Sequence, residues 1–165
     1  MAKELIIIRH AKSDWKNTEL SDFDRPLNNR GKSNAPEMAH RLVKQKIVPE
    51  LIVSSPALRA LTTAKFFADT WQMPLADIQQ EPSIYEASVR SLLEVVNQLD
   101  NKFDRIALFG HNPGLTDLVN YFGGYLNNMP TCSVVLLKFP FDDWAMASEG
   151  TAKVLLFDYP KSGED

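Results

Sequence analysis

Short apolar runs alternate with longer amphipathic stretches along this chain. The runs at 5–8 ("LIII"), 51–53 ("LIV") and 105–109 ("RIALF") are continuous rather than alternating in polarity. Such runs are typical of strands that are buried on both faces of a parallel sheet. Near the C-terminus, "SVVLLKF" and "KVLLFDY" predict two more strands, and a polar tail, "PKSGED", is expected to fray.

Helical periodicity fills the intervals between these runs. A helix is predicted from about Asn29 to Lys46, because apolar residues recur there at spacings of three, four and seven. These residues are Ala35, Met38, Ala39, Leu42 and Val43. His40 lies on the same helix without other candidate site residues, so we interpret it as a surface or packing residue.

Three further helices are predicted. One reaches about Trp71, with Pro56 in its first turn and Ser54 or Ser55 as its cap. Another is capped near Ser88, and the last spans about 115–121. The segments 16–30 and 74–88 are interpreted as loops, the second with at most one edge strand.

Strands that alternate with helices imply an α/β protein with a mostly parallel sheet and helices on both faces. In such folds ligands bind outside the carboxyl ends of the strands. Three polar segments follow the three most buried strands: "RHAKSDW", "SSPALRA" and "GHNPG". We therefore expect four basic side chains to meet at one sheet edge: Arg9, His10, Arg59 and His111.

Composition narrows the class of protein. The 165 residues suit one domain, 1–165, with a single core. The net charge of −3 argues against nucleic-acid binding. Cys132 is the only cysteine, which excludes a disulfide within the chain and a cysteine metal cluster. Because no apolar run suits a signal peptide or a membrane span, we expect a cytoplasmic protein without a membrane partner.

Two arginines and two histidines at one edge suit a phosphate dianion. Arginine binds phosphate oxygens in a bidentate fork and keeps its charge at physiological pH. Neighbouring cations disfavour imidazolium, and a neutral histidine is a nucleophile toward phosphorus. The same cations would stabilise the charge of the transition state. The pattern predicts phosphoryl transfer through a phosphohistidine, with an acid to protonate an oxygen leaving group.

Each residue also has a structural interpretation. Arg9 alone is equally consistent with an ion pair, a single histidine after a strand is more often structural, and Arg59 is compatible with a solvated position. A metal site is a second alternative, with His10 and His111 joined by nearby carboxylates. The candidates are Asp14, Asp22, Asp24 and Asp117. Two arginines beside a cation and the absence of H-x-x-x-H spacing argue against it.

Three blocks of the sequence resemble a known family. "IIIRHAKSDW" resembles the signature of the histidine phosphatase superfamily, which includes phosphoglycerate mutases and acid phosphatases. "SSPALRALTTA" resembles its second block and "ALFGHNPG" its third, and together they extend over most of residues 5–123. The short interval between these two blocks is similar to the SixA-type branch, whose members are phosphohistidine phosphatases. The resemblance implies a phosphoglycerate mutase-like, three-layer α/β/α sandwich.

The resemblance also implies roles for individual residues. His10 would be the nucleophile, while Arg9, Arg59 and His111 would bind the transferring phosphoryl group. The proton donor of the family lies between the second and third blocks, where "SIYEAS" offers Glu86, although a loop glutamate is usually just solvated. No metal and no cofactor are implied.

The chain departs from the family pattern at two positions. Ala11 replaces the glycine that follows the catalytic histidine, so the backbone there must tolerate a Cβ. Lys16 stands where mutase-like members have a phosphate-binding asparagine. The candidate substrate-binding residues are Ser13, Lys16, Arg25 and Asn112. Arg25 is as compatible with an ion pair to Asp22 or Asp24, and Arg30 with ordering the loop or meeting substrate.

The leading hypothesis is a metal-independent phosphatase for a phosphorylated protein or a small phosphorylated substrate, in particular protein phosphohistidine. The alternatives are a small-molecule phosphatase or mutase and a non-catalytic phosphoryl-binding module. The oligomeric state is left open. Aromatic residues of the C-terminal third are interpreted as core rather than as a partner surface. They are Phe122, Tyr125, Phe139, Phe141 and Trp144.

Overall fold

A computed structural model describes residues 2–160, which form one six-stranded sheet and four α-helices. The strands are β1 (Glu4–Arg9), β2 (Leu51–Ser54), β3 (Gln79–Gln80), β4 (Arg105–Gly110), β5 (Val134–Lys138) and β6 (Lys153–Asp158). The helices are α1 (Asn29–Lys44), α2 (Leu58–Thr70), α3 (Val89–Asn97) and α4 (Gly114–Phe122). Every element predicted from the sequence is present, and β3 is the short edge strand expected within 74–88.

The sheet has the order β3-β2-β4-β1-β5-β6. The first four strands in this order are mutually parallel, and β5 and β6 are antiparallel to their neighbours. β4 lies between β2 and β1, so the chain first builds outward from β1 and then returns to fill the central position. The prediction of a mostly parallel sheet is confirmed.

Helices cover both faces of the sheet, as predicted for a three-layer sandwich. Leu5 and Ile7 of β1 belong to the core beneath α3 and α4, whereas Ile6 and Ile8 belong to the core beneath α1 and α2. All four side chains are fully buried. This is why the strand is continuously apolar: each of its faces lies against a helical layer.

Two details of the helices differ from the sequence prediction. Val43 is 37% exposed, so the apolar face of α1 is narrower than predicted. The N-cap of α2 is Ala57, which has no side-chain capping bond, and Pro56 precedes the helix. The prediction of Ser54 or Ser55 as the cap was wrong, because Pro56 and Ala57 separate the serines from the first helical residue, Leu58. The Ser55 hydroxyl instead accepts a bond from the Ala57 amide at 3.2 Å.

The aromatic residues of the C-terminal third are mostly core. Phe122, Phe139 and Trp144 are fully buried, and Phe141 packs against them. Tyr125 is 99% exposed, so the core interpretation was wrong for this residue, which lies in the segment between α4 and β5. The last five residues of the predicted frayed tail, 161–165, lie outside the described residues. Within 2–160, no helix has the length and apolarity to cross a membrane.

Candidate active site

The register of the central strands brings the three polar segments together. Arg9 lies opposite Gly110, and Ser54 lies opposite Phe109, so β1, β2 and β4 end at the same level. The His10 amide donates to the Gly110 carbonyl at 3.0 Å, which extends the ladder by one residue. A cavity of about 290 Å³ opens at this edge. Its lining residues are Arg9, His10, Lys12, Ser13, Trp15, Arg25, Arg59, His111, Asn112 and Thr131.

His10 is held in one orientation and in its neutral form. Its Nδ1 lies 2.7 Å from the Ala11 carbonyl oxygen, which only accepts, so Nδ1 carries the proton and Nε2 the lone pair. Burial lowers the pKa of His10 to about 3 despite this hydrogen bond, and the nearby His111, Arg9 and Arg59 also disfavour its protonated form. The His10 carbonyl accepts from the Cys132 amide at 3.0 Å, so its backbone is bonded on both sides.

His111 faces His10 across the cavity, with ring centroids 5.3 Å apart. Its Nε2 lies 2.8 Å from the Ser55 hydroxyl, and its Nδ1 is buried without a hydrogen-bond partner among residues 2–160. Burial and the charge of Arg59 lower the pKa of His111 to about 4. Both histidines are therefore neutral near pH 7, and each retains one ring nitrogen for a ligand.

The two arginines approach the cavity from different elements. Arg9, at the end of β1, donates from one terminal nitrogen to the Met129 carbonyl at 2.9 Å. Arg59, in the first turn of α2, donates to the Asp22 carbonyl at 2.6 Å and to the Asp22 carboxylate at 3.0 Å. Its Nε is buried without a partner among the described residues. The guanidinium of Arg59 is thus fixed on one side only.

Asp22 forms an ion pair with Arg59, and the sequence did not predict this pairing. It also accepts from the Tyr85 hydroxyl at 2.6 Å and from Arg25 Nε at 3.2 Å. The hydrogen bond from Tyr85, followed by that from Arg59, lowers the pKa of Asp22 to about 2. Among residues 2–160 there is no group of three or more potential ligands that could hold a metal ion.

Three of the four predicted substrate-binding residues line the cavity, namely Ser13, Arg25 and Asn112. Lys16 does not line this cavity, and its role in substrate binding stays a prediction. Ser13 pairs with Leu27, and beyond this bridge the chain turns outward, which places Lys16 in an adjoining groove. Arg25 pairs with Asp22, which confirms the ion-pair interpretation, and also donates to the Ser13 hydroxyl at 2.8 Å. Its role in substrate binding stays a prediction.

Two other predicted positions have informative backbones. Ala11 does not adopt a positive φ, and its amide donates to the Thr63 hydroxyl at 3.0 Å, so a Cβ is tolerated there. Glu86 is exposed, has a φ of 53°, and lines a second cavity together with His111 and Asn112. A positive φ is costly for a residue with a Cβ and is enriched at functional sites. His40 is exposed on α1, outside both cavities.

Sequence reasoning missed three lining residues of the site cavity. Lys12 and Trp15 lie within the first polar segment and could have been predicted, because both follow His10 on the same loop. No sequence pattern predicts that Thr131 lines the cavity. It comes from the segment before β5, which returns to the site through the bond between Cys132 and His10.

The comparison with known families decides the class of the protein. The model of the histidine phosphatase superfamily (branch 1) matches residues 5–94, which is more than half of the chain. The chain belongs to this superfamily. The match contains Arg9, His10 and Arg59, and the cavity adds His111 from beyond it.

Similar proteins span nearly the whole chain. An uncharacterized chloroplastic protein of Arabidopsis thaliana is 29% identical over 155 residues, which cover 89% of this chain and 71% of that protein. A SixA protein of Agrobacterium tumefaciens, described as a candidate phosphohistidine phosphatase, has a TM-score of 0.82 at 23% identity and covers 98% of this chain and 100% of its own.

Two further solved structures have the same fold. The protein histidine phosphatase SixA in complex with tungstate has a TM-score of 0.80 at 22% identity, covering 94% of this chain and 96% of its own. A mycobacterial glucosyl-3-phosphoglycerate phosphatase has a TM-score of 0.66 at 16% identity, covering 94% and 98%. The superfamily and the SixA-like fold support phosphatase activity.

Proposed function

We propose that this chain is a phosphatase that hydrolyses protein phosphohistidine through a covalent intermediate on His10, without a metal or cofactor, and that residues 1–165 form one catalytic domain. The observation that carries the proposal is the orientation of His10. Its proton is held on Nδ1 by the Ala11 carbonyl, and its depressed pKa keeps the Nε2 lone pair available for attack.

In the first step, His10 Nε2 attacks phosphorus, and the bond between phosphorus and the substrate imidazole breaks. The electron pair leaves with the imidazole, which takes a proton. In the second step, a water oxygen attacks the phosphorus on His10 and gives a proton to a general base. The bond between Nε2 and phosphorus breaks, its electron pair returns to Nε2, and inorganic phosphate departs. His10 returns to its neutral state.

The phosphoryl oxygens would be held by donors that the folded chain leaves open. Arg59 Nε and His111 Nδ1 are buried without partners among the described residues. If the Ser55 hydroxyl donates to His111 Nε2, then Nδ1 carries a proton and donates to a phosphoryl oxygen. Arg9 adds a second fixed positive charge. Donors aimed at the equatorial oxygens before reaction stabilise the transition state without reorganisation.

Glu86 is the proposed proton donor for the leaving group and the base for the attacking water. Glu86 lines the second cavity, which shares His111 and Asn112 with the site cavity. An imidazole leaving group needs less acid assistance than an alkoxide. Glu86 should therefore matter more for a phosphoester than for phosphohistidine.

A protein substrate is supported by the surroundings of the cavity. Trp15, Phe23 and Leu58 are partly or largely exposed on the segments that supply Ser13, Arg25 and Arg59. Apolar surface beside a polar site is typical of protein contacts. The phosphohistidine substrate named for SixA agrees with this surface, whereas the small phosphoester named for the mycobacterial relative is the alternative.

The test is a phosphoenzyme trap with a labelled phosphohistidine peptide. We expect an acid-labile phosphoryl label on the wild type and on His40→Ala, a matched exposed histidine, and no label on His10→Ala. A label that survives His10→Ala would overturn the assignment. Turnover of small phosphoesters without turnover of the peptide would favour the alternative, and phosphate binding without any release would indicate a binding module.

A further inference from the structure

Ser55 is the first residue after β2, and its side chain contacts the second histidine of the site. Ser55 is fully buried, and its Oγ lies 2.8 Å from His111 Nε2. The same oxygen accepts a hydrogen bond from the Ala57 amide at 3.2 Å. The Ser55 amide donates to the Phe109 carbonyl at 3.0 Å, which ties this residue to the end of β4. The sheet therefore holds the Ser55 hydroxyl against the imidazole ring.

The hydrogen bonds of Ser55 determine which nitrogen of His111 carries the proton. A serine hydroxyl has one proton and two acceptor sites. The Ala57 amide fills one acceptor site, and the one other hydrogen-bond neighbour of this hydroxyl among residues 2–160 is His111 Nε2. A proton on Nε2 would fill the second acceptor site and leave the hydroxyl proton buried without an acceptor, which is costly. The hydroxyl proton therefore points at Nε2, which acts as the acceptor.

The other ring nitrogen of His111 is then a hydrogen-bond donor. Because the ring is neutral near pH 7 and Nε2 accepts, the proton must lie on Nδ1. This nitrogen is buried without a partner among the described residues, and His111 lines the site cavity. His10 has the opposite arrangement, since the Ala11 carbonyl holds its Nδ1 proton and its Nε2 lone pair is free. Two neutral rings 5.3 Å apart thus offer one lone pair and one donor.

We propose that Ser55 is a positioning residue that makes neutral His111 a hydrogen-bond donor to the phosphoryl group, so that the two histidines of the site perform opposite tasks. This inference rests on the proposed function for the identity of the ligand. Ser55 acts through the imidazole ring and does not itself contact the phosphoryl group. The donor binds more strongly as negative charge develops on the phosphoryl oxygens, so its effect belongs mainly to kcat rather than to KM.

The first experiment locates the ring protons by imidazole nitrogen NMR near neutral pH. In the wild type we expect the proton on Nδ1 of both His10 and His111. In Ser55→Ala the hydrogen bond that selects this tautomer is lost, so His111 should become a mixture of the two tautomers while His10 stays unchanged. A wild-type proton on His111 Nε2 would overturn the proposal, whatever the activity of any variant.

The second experiment measures the turnover of p-nitrophenyl phosphate. We expect Ser55→Ala to lower kcat about thirtyfold and to change KM by less than about threefold, since a complete donor of this kind contributes about 10²–10³-fold. Ser54→Ala is the matched control, because Ser54 is equally buried and its hydroxyl donates to the Ser55 carbonyl at 2.9 Å rather than to His111. This variant should keep kcat within about twofold of the wild type. Equal losses in both variants would indicate a general packing effect and would overturn the role of Ser55.

The affinity for tungstate, a tetrahedral oxyanion, provides a measurement that does not depend on catalysis. Calorimetric titration should show about fivefold weaker binding to Ser55→Ala, the scale of one hydrogen bond. His111→Asn replaces the ring by an amide donor that has no tautomers, so adding Ser55→Ala to this variant should change the affinity by less than about twofold. Equal weakening in both backgrounds would mean that Ser55 does not act through His111, and would overturn the proposal.

These measurements also separate the proposal from the proposed function. The expected NMR and tungstate results, combined with no turnover of any phosphorylated substrate, would support the role of Ser55 and contradict the phosphatase activity. Phosphatase activity with an unchanged His111 tautomer in Ser55→Ala would do the reverse.

Discussion

Positively charged side chains are buried at both ends of the central sheet, but the chain completes their hydrogen bonding at only one end. At the amino end of β1, Lys3 is 1% exposed. Its ammonium donates to the carbonyls of Asn101 and Phe103 at 2.7 and 3.1 Å and to the Asp104 carboxylate at 2.9 Å. An ammonium has three donors, so the hydrogen bonding of Lys3 is complete.

The carboxyl end of the sheet is left incomplete. Arg59 Nε and His111 Nδ1 are as deeply buried, yet neither has a partner among residues 2–160. Buried polar groups are nearly always satisfied in folded proteins, so open donors that face a cavity indicate a ligand. The chain completes the hydrogen bonding of Lys3, whereas it leaves open the nitrogens of Arg59 and His111 that the proposed phosphoryl group would contact.

Of the variants considered, a replacement of Arg59 at the carboxyl end of the sheet should lower activity the most. We expect Arg59→Gln to lower kcat/KM for p-nitrophenyl phosphate by about 10²–10³-fold, because a charged donor to the transition state is lost. Arg59 is buried, but its partner Asp22 is 47% exposed and is solvated when the ion pair is lost, so the free energy of unfolding should change by only about 1 kcal/mol. Steady-state kinetics and urea unfolding measure the two quantities. Activity within tenfold of the wild type would contradict the role of Arg59.

Replacing Lys3 should give the reverse result. Lys3→Met removes three hydrogen bonds and leaves two carbonyls without their donor, so we expect the free energy of unfolding to fall by about 3 kcal/mol. The value of kcat/KM should stay within about twofold of the wild type, since Lys3 lies at the opposite edge of the sheet. Lys44→Met is the control at an exposed lysine and should leave both unchanged. A large loss of activity at normal stability would remove the distinction between the two ends.

The protonation of His10 and His111 provides a further test of the carboxyl end of the sheet. The pKa values of about 3 for His10 and about 4 for His111 lie below 6.5, so the unfolded chain binds more protons than the folded one below pH 6.5. Stability should therefore fall as the pH decreases from about 6.5 toward 4. Imidazole nitrogen NMR should show both rings neutral at about pH 5.5. Protonation of either ring near pH 6.5 would contradict the assignment.

The smallest expected effect concerns Asp22. Its carboxylate accepts a hydrogen bond from one terminal nitrogen of Arg59 and repels a phosphate dianion. Asp22→Asn should lower KM for p-nitrophenyl phosphate and the inhibition constant of inorganic phosphate by about threefold, the scale of a half-exposed charge. A rise in both constants would show instead that Asp22 mainly orients Arg59.

The sequence was sufficient for the fold and for the centre of the site. Continuous apolar runs identify strands covered on both faces, and parallel strands end at a common edge, so Arg9, His10, Arg59 and His111 follow from order alone. Family resemblance then assigned roles that pattern could not, including Glu86.

Other features required the folded chain. The contact between Asp22 and Arg59 joins segments 37 residues apart and depends on how the 13–27 loop closes. Thr131 arrives from a segment that has no periodicity. The outward position of Lys16 follows from the bridge between Ser13 and Leu27. The pattern of polar and apolar residues does not predict this pairing. Tertiary closure, rather than local propensity, decides all three.

The double backbone attachment of His10 has a consequence for how this enzyme would diversify. Its amide and carbonyl are both bonded to main-chain groups, of Gly110 and Cys132, so no side chain elsewhere has to hold the nucleophile in place. Changes in the loops that carry Trp15, Phe23 and Lys16 would then alter which molecules arrive, without disturbing the reaction. The sheet would keep the nucleophile in position, while substitutions in the loops at its edge would change the range of substrates.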